Sequence, residues 1–151
     1  MGATLDASGT GALHFTNTGS LIYSLTSART LTLTGTNTDN NSFSPIIADA
    51  GDATSVTKSG IGTWGLVGAS TYTGVTMITG GVLYADFLAN GGSVSNIGAS
   101  TNAATNLVLN GGTLQYTGGA TSTDRLFSVG SSGGTLDASG TGAVKFTNTG
   151  S

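Results

Sequence analysis

Thr30-Leu31-Thr32-Leu33-Thr34 alternates without a break. In an extended backbone successive side chains point to opposite faces, so Leu31 and Leu33 share one face and the three threonines share the other. Such a strand buries one side and wets the other, and β-branched threonine suits the wet side. Outward from it, short apolar-alternating segments recur about every 8 to 12 residues, separated by Gly, Ser, Asn and Thr, which is the pattern of many short strands. Residues 13–15, 21–25, 64–67, 75–78, 107–109, 114–116, 127–129 and 144–146 read this way, each with two or three apolar side chains for a core. No stretch carries the stripe of an amphipathic helix.

Gly (26), Thr (27), Ser (18) and Asn (10) fill 81 of the 151 positions, Glu is absent and Pro45 is the single proline. Small polar residues at that level invite a disordered reading. Disordered chains combine low hydrophobicity with high net charge, whereas this one has 37% hydrophobic residues, a net charge of −3 and a mean hydropathy of +0.17. The length fits one domain. Two all-β designs fit the strand spacing, an antiparallel sandwich or barrel and a coiled solenoid. Two-residue hairpin turns are scarce: Asn110-Gly111-Gly112 and Asn90-Gly91-Gly92 serve equally well as solenoid corners. Every solenoid coil also needs corners with positive φ, which accounts for abundant Gly and Asn.

The sequence repeats itself. Residues 4–20, TLDASGTGALHFTNTGS, return as residues 135–151, TLDASGTGAVKFTNTGS, with differences at Leu13/Val144 and His14/Lys145. Residues 1–20 are thus equivalent to 132–151, and the chain reads as one 131-residue module of a tandem array plus a terminal overlap. With roughly 20 to 25 residues per coil, the fold expected is a single-stranded parallel β-helix (β-solenoid) of about 5 to 7 coils, all of it one domain over residues 1–151.

The middle of the chain carries a more specific pattern. Val56-Thr57-Lys58-Ser59-Gly60-Ile61-Gly62-Thr63-Trp64 is followed by Leu66, Gly68, Tyr72-Thr73-Gly74, Thr76, Ile78, Gly80-Gly81 and Leu83. In its ordered Lys, Gly, Trp, Leu, Tyr-Thr-Gly, Thr and Gly-x-Leu positions, the segment near 56–85 resembles the passenger-associated transport repeat, also called the autotransporter-associated β-strand repeat. The flanks LNGGTLQYTG, GGTLDASGTG and TLTLTGTNT look like the segments that surround such repeats. Gly65, Val67 and Val75 depart from the pattern, standing where the family tends to have small polar residues or glycine. The resemblance implies a right-handed β-helix within the passenger of a secreted autotransporter, with a role in export and folding at a Gram-negative-type bacterial surface. A solenoid also has a physical reason to serve export, because nearly all its contacts join neighbouring coils and each finished coil can template the next.

The residues offer little to catalysis. Asp6, Asp39, Asp49, Asp52, Asp86, Asp124 and Asp137 are the carboxylate side chains; Asp6 and Asp137 are one position in the two copies, the others stand in separate turn-like contexts, and the expected role is bonding to nearby backbone N–H groups. Asp49 and Asp52 form the one close pair, without the periodicity of calcium β-rolls. His14 is the sole histidine and its repeat equivalent is Lys145, which places it on the solvent side between inward Leu13 and Phe15. Lys58 reads as a solvated or turn-bonding residue, and Trp64 and Tyr72 as core and corner packing in preference to a sugar platform. Threonine pairs such as Thr30 to Thr34 are too irregularly spaced for an ice-ordering array. The expectation is a chain with no catalytic, cofactor-binding or metal-binding residues, and not an enzyme.

Four basic residues, Arg29, Lys58, Arg125 and Lys145, cannot neutralise a run of phosphates, so nucleic acid is not an expected partner. No apolar run is long enough to span a bilayer, and signal and anchor are expected outside this chain. Cysteine is absent. The reading that results is a rigid spacer of a secreted or cell-surface protein. It partners neighbouring repeats or stacks head to tail on its own copies. The alternative is an adhesin module that contacts a cell-surface or host ligand through residues 36–44 or 88–105.

Overall fold

A computed structural model describes residues 1–150; Ser151, the last residue of the repeat, lies outside them. In chain order the strands are β1 (Gly2–Asp6), β2 (His14–Phe15), β3 (Arg29–Thr34), β4 (Asn41–Phe43), β5 (Thr54–Lys58), β6 (Thr63–Leu66), β7 (Thr76–Ile78), β8 (Val82–Ala85), β9 (Leu107–Leu109), β10 (Thr113–Tyr116), β11 (Thr121–Thr123), β12 (Ser128–Val129), β13 (Thr135–Ala138) and β14 (Val144–Phe146). One 3-10 turn, Ala104–Asn106, precedes β9. Two six-stranded sheets run β1-β3-β5-β7-β9-β12 and β2-β4-β6-β8-β10-β13, and β11 pairs with β14 on a third side. Every strand pairing is parallel and joins one coil to the next, giving a β-solenoid of about six turns.

Alternation within each strand sets two inward columns. On the first sheet Leu5, Leu33, Lys58, Ile78, Leu109 and Val129 stand in register, and on the second Phe15, Phe43, Leu66, Ala85, Tyr116 and Ala138. Trp64 is fully buried between them, its indole Nε1 donating to the Thr34 carbonyl at 2.8 Å. The Phe15 ring lies 5.3 Å from Phe43 and 6.5 Å from Trp64, centroid to centroid.

The corner from first to second sheet is glycine in coil after coil: Gly35, Gly60, Gly81, Gly111 and Gly133 all have positive φ. At Gly81 the need is steric as well, since a β-carbon there would stand 2.2 Å from the Gly62 carbonyl oxygen. Asparagine does not share this task, because among the described residues no residue other than glycine has positive φ. Asparagines work through their side chains instead. Buried Asn41 accepts from the Leu13 N–H at 2.8 Å and donates to the Thr63 carbonyl at 2.7 Å, joining three coils at an inward position. Replacing it by alanine strands those backbone groups, and Asn41→Ala should cost about 2 kcal/mol in urea unfolding.

Several sequence assignments need correction. Residues 21–25 form no strand, and Ile22 is 96% exposed; on this third side pairing is limited to β11 with β14 and isolated bridges such as Ser20 with Ile46. Residues 36–44, open in the reading to a strand face or a loop, are held against the column and partly form a strand. Asn37 turns inward and donates to the Gly9 carbonyl at 2.9 Å, and β4 occupies residues 41–43. The strands β1, β4, β5, β8, β11 and β13 carry too few apolar residues, or too mixed a pattern, to stand out in the sequence.

The two copies of the repeat occupy opposite ends of one solenoid and different sides of it. In the first copy Leu5 pairs with Leu33 on the first sheet, and Phe15 with Phe43 on the second. In the second copy Leu136 pairs with Leu114 on the second sheet, and Phe146 with Thr123 on the third side. The available edge decides the difference. β13 follows Gly133-Gly134 and meets a strand that follows Gly111-Gly112, so like stacks on like; β1 meets the Thr-Leu-Thr-Leu edge of β3.

Candidate binding surfaces

One coil makes a much longer excursion than the others. Between β8 and β9 the chain runs through residues 86–106, where the preceding coil needs residues 67–75. The excursion contains the proposed 88–105 segment and is a fixed ledge. Asn96, buried, accepts from the N–H groups of Asp86 and Phe87 at 2.9 and 2.7 Å and donates to the Gly68 carbonyl at 3.2 Å. Leu88 and Ile97 insert into the core.

Arg125, from the next coil, locks the ledge. It is buried, and its Nε donates to the Ala89 carbonyl (3.1 Å), Nη1 to the Ser100 carbonyl and hydroxyl (3.1 and 3.0 Å), and Nη2 to the Gly98 carbonyl (2.8 Å). Burial lowers its pKa, with Tyr72 and Asp124 opposing the shift. Asp124 beside it accepts from the Gly91 N–H at 2.7 Å. Phe87 and Val94 remain exposed on the ledge. Sequence reading gave Arg125 no role; its acceptors lie 25 to 36 residues away, and no local pattern points to them.

A second surface is the outer face of the second sheet. In register along the solenoid axis stand His14, Ser42, Gly65, Tyr84, Gln115 and Asp137. His14 Nδ1 and the Ser42 hydroxyl lie 2.8 Å apart, and Gln115 Nε2 donates to Asp137 Oδ2 at 2.9 Å. The hydroxyl of Ser139 and then the Gln115 amide hold the Asp137 carboxyl below its ordinary range.

The other singled-out residues make contacts within the fold. Asp49 takes the Thr54 N–H at 2.8 Å and the Thr73 hydroxyl at 2.6 Å. Burial opposes its charge, yet these donors, with Arg29 beyond, hold its pKa below the usual value. Asp52 accepts from the Ala28 N–H at 3.2 Å, and Asp6 from the Ser8 hydroxyl. No group of three potential metal ligands occurs among the described residues. His14 and Lys145 are exposed. Trp64 and Tyr72 are both fully buried, as read, and the Tyr72 hydroxyl lies 2.7 Å from Thr76 Oγ1. Outward Thr4, Thr32 and Thr57 give way to Met77 and Val108 in the same row, so no long threonine array forms. Lys58 is turn-bonding and not solvated: it occupies an inward, fully buried position and its Nζ donates to the corner carbonyls of Ser59, Gly60 and Gly80.

A search of characterised proteins adds one relative. The chain is 49% identical over 121 residues, 79% of its length, to the protein named Adhesin BmaC autotransporter of Brucella suis biovar 1 (strain 1330), and the match spans 4% of that protein's length. No family model and no solved structure matches the chain, so the finer likeness to the passenger-associated transport repeat rests on the residues near 56–85. The sequence match and the solenoid agree, and together they fit an autotransporter passenger repeat.

Proposed function

We propose that the chain is a rigid, non-enzymatic spacer in the passenger of a bacterial surface autotransporter, and that its coil-by-coil architecture aids export. The supporting observation is the topology. Each strand of the two main sheets pairs with strands one coil away, and both main sheets run unbroken from end to end. A column of about six coils at about 4.8 Å each is roughly 29 Å long, and further modules lengthen it in proportion. Small-angle scattering on a two-module chain tests this. The maximum dimension should come close to doubling, and a folded-back particle of unchanged length would refute the spacer.

The end faces favour continuation. At one end Val129 is 58% exposed, Leu136 and Phe146 are each 38% exposed, and the last two line an open recess of about 220 Å³ with Leu88, Leu114, Tyr116 and Val144. At the other, Met1, Ile22 and Leu25 are exposed and line a recess beside β1. Strand direction is the same at both ends, so head-to-tail contact can pair β12 with β1 and β13 with β2 of another copy. The sedimentation coefficient of the isolated chain should therefore rise with concentration, and Leu136→Asp should suppress the rise. A concentration-independent monomer would end the head-to-tail reading.

The adhesin name of the relative favours a second reading, in which the locked ledge at residues 86–106 presents Phe87 and Val94 to a surface ligand. Cell binding by the chain that is lost in Phe87→Ser would support it. Equal binding by that variant would remove the ledge as the contact.

A further inference from the structure

We propose that the outer face of the second sheet is a carbohydrate site for a neutral oligosaccharide, with one pyranose ring stacked on Tyr84. Its neighbouring rings would bond Gln115 and Asp137 on one side and Ser42 and His14 on the other.

Tyr84 points outward between inward Leu83 and Ala85. Its ring leans along the sheet onto Gly65: a β-carbon built there would lie 1.9 Å from Tyr84 Cζ and 2.1 Å from Cε2. Gly65 is buried as a result, although it stands on the outer face. Covering a strand glycine with an aromatic ring is a known way to stabilise a sheet, and it uses one face of the ring. The other face remains toward solvent, and Tyr84 itself is only half-buried. Glycine is what allows the ring to lie down.

A pyranose presents an apolar C–H face and an edge of hydroxyls. Its complement is a flat, rigid ring with hydrogen-bonding groups at its margins, and tyrosine orders few torsions on binding. The row supplies such margins. Strands lie about 4.8 Å apart, close to the width of one sugar ring, so Gln115 stands one step from Tyr84 and Asp137 two. Ser42 stands two steps away on the opposite side. The Gln115–Asp137 and His14–Ser42 bonds hold these polar groups in place before a ligand arrives.

Charge narrows the class. Lys58 and Arg125 are buried, half-buried Arg29 lies over the Tyr23 ring at 4.3 Å, and exposed Lys145 is on β14, on the third side. The row carries the carboxylate of Asp137, and Asp86 sits close enough to Tyr84 to raise its pKa, after the larger effect of burial. Acidic sugars would meet repulsion without a compensating cation. The site deepens the ligand-binding reading and leaves the spacer untouched.

The test is an NMR titration of the isotope-labelled chain with maltotetraose, cellotetraose and chitotetraose at millimolar concentrations, with sialyllactose as the acidic comparison. At least one neutral tetrasaccharide should shift the amides of Tyr84, Gln115 and Asp137, and sialyllactose should not. Tyr84→Phe should bind like the parent chain, and Tyr84→Ala should weaken binding about tenfold or more. Because Tyr84→Ala uncovers Gly65 and can loosen the strand, Gln115→Ala provides a second variant, expected to weaken binding severalfold with the melting temperature unchanged. The proposal falls if none of the three neutral sugars moves these amides, if the shifts map elsewhere, or if both alanine variants bind undiminished. Cell binding that persists through the ledge in that event would refute this site alone.

Discussion

Arg125→Ala should be among the most damaging single substitutions in the chain, lowering stability by about 4 kcal/mol, because hydrogen bonds to a charged donor contribute about 1.5 to 3 kcal/mol each and several are lost together. The carbonyls of Ala89, Gly98 and Ser100 each accept from this guanidinium and also from one further donor, the Thr123 hydroxyl, the Ser95 hydroxyl and the Gly92 N–H respectively. The ledge also contributes Leu88 and Ile97 to the core, so releasing it opens apolar surface along with polar groups. Arg125→Lys should recover less than half of the loss, since an ammonium cannot span acceptors arranged around a planar fork. Two readouts separate ledge from column. Urea unfolding gives the total cost, and amide hydrogen exchange across residues 88–100 should lose protection at lower free energy than β5 to β8. A cost below about 1 kcal/mol, or unchanged protection of the ledge, would show that the excursion is held by its apolar residues alone.

The column was legible in the sequence where strands alternate apolar with polar residues, as at Thr30 to Thr34, and where glycines mark corners. Trp64 was legible as core because it opens the apolar segment 64–67, and Tyr72 as corner packing because it is a large aromatic in the Tyr-Thr-Gly stretch between two such segments. β4 and β5 were not, since their inward positions include Asn41, Thr54 and Lys58. These side chains face the core because the corners beside it expose carbonyls and N–H groups that need partners, and that need arises only once coils are stacked. The surface row at Tyr84 was hidden for a related reason. Alternation places Tyr84 outward, but Gly65, Gln115 and Asp137 become its neighbours through pairing across coils.

The duplicated ends carry the same lesson further. Fifteen of seventeen residues are identical between positions 4–20 and 135–151, yet one copy enters the first sheet and the other the second. A strand of a parallel solenoid has no turn chemistry of its own to fix its side of the column. Its face follows from whichever edge lies one coil away, provided that the inward residue fits. Leu5 under Leu33 and Leu136 over Leu114 are both such fits. Within a tandem array a single copy cannot pair both ways at once, so each junction must settle on one edge.

Lys58 should reveal itself through pH. Its position in the apolar column between Leu33 and Ile78 is paired with a reach to the corner, where Nζ donates to the carbonyls of Ser59 (2.7 Å), Gly60 (3.1 Å) and Gly80 (3.0 Å). Burial lowers its pKa from 10.5 to about 8. A lysine whose folded pKa is depressed holds stability back at low pH: below 8 both states carry the proton and the fold bears the cost of burying it. Between about pH 8 and 9.5 the unfolded chain stays protonated while the folded one does not, so stability rises, by at most about 1.4 kcal/mol per pH unit. A neutral amine still donates two of the three bonds. Above about pH 10 the trend reverses, because burial raises the pKa values of Tyr23, Tyr72 and Tyr84 and the unfolded chain then loses protons first. Lys58→Met keeps the length of the side chain and removes the donors, and should cost about 3 kcal/mol at pH 7 through the three stranded carbonyls. It should also flatten the rise between pH 8 and 9.5. Urea midpoints measured across that window for both chains decide the matter: a flat parent profile, or a methionine variant that keeps the slope, would mean that the ammonium stays charged throughout and that the corner carbonyls outweigh the loss of water.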